Sequence, residues 1–214
     1  MQAEKLSRRP YIPLLKEHNI RRGFFEAAQF ECLVAHLPAH ARGIAAFAYI
    51  TGWRTPSEIL PLEWRQVDMD VGEVRLDPGA TKNGEGRVFP FTIELRRVLE
   101  QQQEIADTLR TERGVTARYV FCQVSGVKAG QRLSVSGYSH LWHHARVLAG
   151  CPTHIPHDFR RTAVRNLVRA GVPERVAMLL TGHKTRAVFE RYNIVSHGDL
   201  RDAARRLDQF ARPA

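Results

Sequence analysis

The sequence predicts an α+β fold, predominantly α-helical, with one small antiparallel three-stranded sheet. Apolar residues recur at helical spacing along most of the chain, as in Phe24, Ala28, Leu33 and Leu37. Only between Trp64 and Thr92 does this give way to short β-rich pieces, separated by the turn-forming runs Asp77-Pro78-Gly79 and Asn83-Gly84-Glu85-Gly86. A chain of 214 residues is long enough to close one core, and one domain is expected.

Residues 1–22 are polar, basic and broken by Pro10 and Pro13, each of which disfavours helix at and before itself; they read as a linker. The domain, 23–214, opens with two helices, from Phe24 to Leu37 and from Ala41 to Thr51, the second stopped by Gly52. Next comes Thr55-Pro56-Ser57-Glu58, in which Thr55 can cap, Pro56 takes the first helical position and Glu58 the third, as in a capping box. Arg54 then stands immediately before a helix start. The strands are Gln66 to Asp70, Glu73 to Leu76 and Arg87 to Thr92. Helices are expected from Ile93 to Arg110, Ser136 to Leu148, Phe159 to Ala170, Pro173 to Leu180, Arg186 to Tyr192 and Leu200 to Phe210. In the last, Leu200, Ala203, Ala204, Leu207 and Phe210 form an apolar stripe that can pack at home or on a neighbour.

The formal charge is +10, carried by 27 arginines against five lysines. Planar guanidinium forks match phosphate oxygens, so the balance favours a nucleic acid, although a solubilising basic surface would show the same charge. Three widely spaced cysteines, Cys32, Cys122 and Cys151, suggest neither a disulfide framework nor a four-cysteine zinc site. The longest apolar run, Ile44 to Ile50, is too short to cross a bilayer, and a soluble, cytoplasmic protein is expected.

The chemistry-bearing residues lie in four separate runs. His157-Asp158-Phe159-Arg160 opens a helix, so His157 and Arg160, three apart, share a face near an end that attracts anions. On its own this is also an ordinary basic helix start. Downstream lie Leu180-Thr181-Gly182-His183-Lys184-Thr185 and Phe189-Glu190-Arg191-Tyr192-Asn193; upstream lies Thr51-Gly52-Trp53-Arg54. Cys151, His154 and His157 superficially have metal-ligand spacing, but no second cluster accompanies them and no metal is expected. Asp68, Asp70 and Glu73 read as a solvated strand end.

Together these runs resemble the catalytic domain of the tyrosine recombinases, the phage integrase family. That family carries two arginines, a lysine, two histidines and a nucleophilic tyrosine in fixed order. Its first arginine, in a T-G-x-R context with an acid four residues on, matches Arg54 with Glu58, and its β-hairpin lysine matches Lys82. The H-x-x-R pair matches His157 and Arg160, the second histidine matches His183, and the nucleophile matches Tyr192. The resemblance implies DNA cleavage and rejoining through a 3′-phosphotyrosine, with no cofactor.

The assignments make chemical sense. Arg54, Arg160 and His183 can stabilise the non-bridging oxygens of a phosphodiester transition state. A phenol with a reference pKa of about 10 needs help to attack, which His157 can give. Lys82, on its glycine-flanked turn, is the donor the resemblance implies for the departing 5′-oxygen. The resemblance also implies double-stranded DNA as the partner, bound as a tetramer, with a monomer or weak dimer expected when free. Relatives add a core-binding domain for which this chain has no room, so the catalytic domain alone is expected. Two other readings remain at this point: a type IB topoisomerase-like nicking and closing enzyme, and a DNA-binding regulator, since Thr162 to Ala170, its glycine turn and the next helix look like a helix-turn-helix.

Overall fold

The computed structural model describes residues 23–79, 84–192 and 197–210, and it has the expected class: eight helices and one three-stranded sheet among those residues. The proposed linker, 1–22, and Lys82 lie outside them. None of the described helices is long and apolar enough to cross a membrane.

Helix α1 (Ala27–Ala35) begins later than its apolar pattern suggests, because the side-chain oxygen of Gln29 accepts the Glu26 N–H at 3.1 Å and sets the start there. The residues before it are pinned elsewhere: the Phe25 N–H donates to Thr162 Oγ1 at 2.9 Å and its carbonyl accepts from Arg165. Helix α2 (Ala39–Thr51) stops at Gly52, whose φ of 67° lies in the left-handed region that a side chain disfavours.

Residues Thr55–Ile59 form a single wide turn instead of the capped helix start expected at Thr55. Glu58 reaches back four residues and accepts the Arg54 N–H at 2.7 Å, so the cap position falls on Arg54 and the Thr55 side chain caps nothing. The reason is tertiary. Glu58 is drawn inward by two guanidinium groups, described below.

The sheet comprises β1 (Val67–Asp68), β2 (Glu73–Leu76) and β3 (Arg87–Pro90), antiparallel and in chain order. β1 is shorter than expected at both ends. Trp64–Gln66 coil into a tight helical turn, and the Asp68 carboxylate accepts the N–H groups of Asp70 and Val71, closing a turn where the strand would have continued. β3 ends at Pro90 because Thr92 caps α3 (Ile93–Arg113), accepting the Leu95 N–H at 3.1 Å. The register pairs Val74 with Phe89 and Leu76 with Arg87, placing Val74, Leu76 and Phe89 on the core face.

Four helices follow: α4 (Val135–Leu148), capped by Ser134, α5 (Asp158–Arg169), α6 (Glu174–Thr181) and the short α7 (Arg186–Glu190). The main core joins α1, α2, α4, α5 and the sheet through interlocking aromatics, with Phe25, Trp142 and Phe159 at its centre and Phe47, Trp53, Phe89 and Phe121 beside them. A second cluster of Val164, Ala177 and Phe189 welds α5, α6 and α7. Helix α8 (His197–Phe210) returns to α5, with Arg206 donating to the Arg169 carbonyl at 2.7 Å, while Leu200 and Leu207 of its apolar stripe stay exposed.

Candidate active site

Helices α2 and α5 run against each other, so the chain leaving α2 at Gly52 passes beside the first turn of α5. The loop that ends α6 arrives at the same point. Three distant stretches of sequence thereby meet, and backbone carbonyls hold them: Arg160 Nη1 donates to the Gly52 carbonyl at 2.8 Å and to the Thr181 carbonyl, and Nη2 reaches the Gly182 carbonyl at 3.4 Å. These three carbonyls are all neutral partners. Burial, and then the nearby charge of Arg54, push its pKa down to about 9, while Glu58 opposes the shift.

Glu58 is the counter-charge of the site. Its side chain is 0% exposed and its carboxylate accepts from Arg54 Nη1 at 2.7 Å and from Arg87 Nη2 at 3.0 Å. Arg87 was not anticipated from the sequence. It enters from β3, lies over the Trp53 ring and donates to the Thr181 carbonyl at 3.0 Å, only 6% exposed. The available signal was register: Arg87 shares the core-facing side of β3 with Phe89, where a charged residue needs a partner. Gly182, with φ 70°, packs so closely that a Cβ there would meet Arg87 Cζ at 2.2 Å.

The two histidines differ in setting. His157 precedes α5, with its Nε2 3.1 Å from the Tyr192 hydroxyl. Burial, then the charges of Arg160, Arg161 and Arg54, hold its pKa below the usual 6.5. Asp158 does not cap the helix as an ordinary helix start would have it; its carboxylate accepts the Ile155 N–H at 3.0 Å. His183 follows Gly182, and its Nδ1 lies 2.7 Å from Thr181 Oγ1. Burial, then Arg160, Arg54, Arg87 and His157, push its pKa down to about 3, so both rings are neutral at pH 7.

Tyr192 follows α7, its N–H bonded to the Phe189 carbonyl at 2.8 Å, and Phe189 is anchored in the second core cluster. Its ring sits 5.0 Å from that of His183, and the Arg161 guanidinium lies over it at 5.2 Å. Arg54, His157 and Arg160 line a cleft of ≈ 300 Å³ with Trp53, Pro56 and Ile155. Of the residues singled out from sequence, Arg54, Glu58, His157, Arg160, His183 and Tyr192 converge here. Two guanidiniums and a neutral imidazole lining the cleft, with the Tyr192 phenol against that imidazole and His183 beside the phenol ring, suit attack on a phosphodiester: the guanidiniums hold the oxygens, and a histidine takes the phenolic proton.

The cysteine-histidine spacing leads elsewhere, since His154 Nε2 lies 3.0 Å from the Phe24 carbonyl. The helix-turn-helix pattern does form a helix pair, α5 and α6. However, α5 is buried along Asp158 to Arg160 and Thr162 to Arg165 and carries the site.

Comparison with known proteins places these features in context. The model of the phage integrase family matches residues 18–198. The integrase of Salmonella phage P22 is 26% identical over 212 residues, covering 96% of this chain and 52% of the relative, so the chain spans about half that protein's length. Among solved structures, XerA recombinase superposes with a TM-score of 0.68 at 18% identity, covering 89% of this chain and 66% of that one. The Tn1549 transposon integrase bound to circular intermediate DNA gives 0.68 at 15%, covering 90% and 68%. A lambda integrase tetramer bound to a Holliday junction gives 0.64 at 19%, covering 83% and 50%.

Proposed function

The chain belongs to the phage integrase family, and from that premise we propose that it carries out site-specific DNA recombination by cleaving and rejoining strands through a 3′-phosphotyrosine at Tyr192. The observation that carries the reading is the Tyr192 hydroxyl, 3.1 Å from a neutral His157 Nε2, at a cleft lined by Arg54 and Arg160.

In the first step the Tyr192 oxygen bonds to phosphorus, and the bond from phosphorus to the 5′-oxygen breaks. The phenolic proton passes to His157 Nε2, and Lys82 supplies the proton that the 5′-oxygen gains. Arg54 and Arg160 neutralise the non-bridging oxygens, with His183 beside them. Attack by a 5′-hydroxyl from another duplex reverses these steps and restores the phosphodiester, with no other energy source.

Residues 23–214 form the catalytic domain in this reading, with 1–22 as its basic linker. The partner is double-stranded DNA, and the active assembly is a tetramer, as in the lambda integrase structure on a Holliday junction. Three free cysteines suit a reducing cytoplasm, and the similarity to a phage and a transposon integrase points to integration of a mobile element.

The test is incubation with a nicked suicide duplex bearing candidate attachment sequence, followed by a denaturing gel and mass spectrometry. The expected result is nucleotide on the peptide containing Tyr192, and none with Tyr192→Phe, which still binds DNA. An adduct that persists in Tyr192→Phe would assign the nucleophile elsewhere.

A further inference from the structure

Thr181 lies at the centre of the site, in contact with two of the residues assigned to the phosphate, Arg160 and His183, yet has no role of its own in the steps above. Its carbonyl accepts from both Arg160 and Arg87, and its side chain is fully buried. The hydroxyl has a single hydrogen to give, and two groups lie within reach: the Ala177 carbonyl at 2.7 Å, which can only accept, and His183 Nδ1, also at 2.7 Å. When the hydrogen goes to the carbonyl, the oxygen is left as an acceptor for His183, and Nδ1 must carry the ring hydrogen. The other ring nitrogen, Nε2, is buried and has no hydrogen-bond partner among the described residues.

Electrostatics selects the same arrangement. Arg160, Arg54 and Arg87 are the charged groups acting most strongly on His183, with His157 next, and all disfavour a positive imidazole. A neutral ring surrounded by cationic donors is better placed with a lone pair towards them than with an N–H.

We propose that Thr181 is a positioning residue that locks His183 in the Nδ1–H tautomer, so that Nε2 meets the reacting phosphate as a proton acceptor. This deepens the functional reading above and rests on it for the identity of the substrate. It also changes what His183 can do. A neutral Nε2 repels a phosphate oxygen, itself an acceptor; when the bound phosphate offsets the charges of the three arginines, Nε2 takes a proton from solvent and becomes a donor to that oxygen, while Nδ1–H stays on Thr181.

Long-range 15N–1H correlation of the histidine ring in the free protein tests the assignment without DNA. The expected pattern is Nδ1 protonated in the wild type and in Thr181→Ser, and a shift towards Nε2–H in Thr181→Val, which fills the same space without a hydroxyl. Alongside, Thr181→Val should slow adduct formation about tenfold, the worth of one hydrogen bond, and Thr181→Ser should restore it. An Nε2–H ring in the wild type overturns the proposal, as does an unchanged Nδ1–H ring in Thr181→Val. If Thr181→Val fails to fold, the wild-type tautomer alone decides. Absence of any adduct in the wild type would count against the recombinase reading and leave the ring measurement standing.

Discussion

Replacing Glu58 by alanine removes the carboxylate on which two guanidiniums converge. That carboxylate also accepts the Arg54 N–H at 2.7 Å, and its side chain is wholly buried. Arg54 is 25% exposed and can recover water, but Arg87, at 6%, cannot. Breaking a buried pair by removing one partner costs about 3–5 kcal/mol, and the solvent open to Arg54 favours the lower end, about 3 kcal/mol. For a chain of this size each kcal/mol moves Tm by about 2–4 °C, so Glu58→Ala should melt about 6–12 °C lower. Differential scanning calorimetry at pH 7 measures it. Removing both buried charges, in Glu58→Ala with Arg87→Met, should cost clearly less than the sum of the single changes, because the one cation left, Arg54, is open to water. A Tm within about 2 °C of wild type, or strict additivity in the double variant, would refute the argument that Glu58 holds this charge balance.

Three further expectations follow from the same geometry. Gly52→Ala places a Cβ at φ 67°, 3.0 Å from Ala163 Cβ, and should destabilise by about 1–2 kcal/mol in urea unfolding; an unchanged midpoint would show that the α2–α5 junction is looser than described. His183 has a folded pKa of about 3 against 6.5 in the unfolded chain, so the unfolded state binds more protons between those values. Stability should therefore fall as pH drops from 6.5 towards 3, and His183→Asn should flatten that slope; equal slopes would place the proton uptake elsewhere. Lys82→Ala should lose strand cleavage and regain it on a substrate whose bridging 5′-oxygen is sulfur, a leaving group that needs less protonation, and a variant equally slow on both substrates would remove Lys82 from that role.

Local chemistry made much of the architecture readable. Gly52 stops its helix as a left-handed cap, as its place after the apolar run marks, and β2 falls on the residues its pattern marks. Contacts across the chain were not readable. Arg87 declares itself only once β3 is paired and its side chain is found over the Trp53 ring. The Thr55 cap failed because Glu58 serves Arg54 and Arg87 instead of the turn's own donors. Thr181 had been read only as the residue before a glycine, since the value of its carbonyl and hydroxyl depends on where α5 and β3 come to rest.

The anchoring of Arg160 has a consequence for how substitution surveys of this protein would read. Its partners are the carbonyls of Gly52, Thr181 and Gly182, and every amino acid brings an identical carbonyl. Exchanging side chains therefore cannot delete these bonds, and a scan would credit the arginine while passing over what holds it. The dependence surfaces only where a Cβ bends the path of the chain, at Gly52 and Gly182. Intolerance of alanine at these two glycines would be the visible trace of a clamp built from main chain.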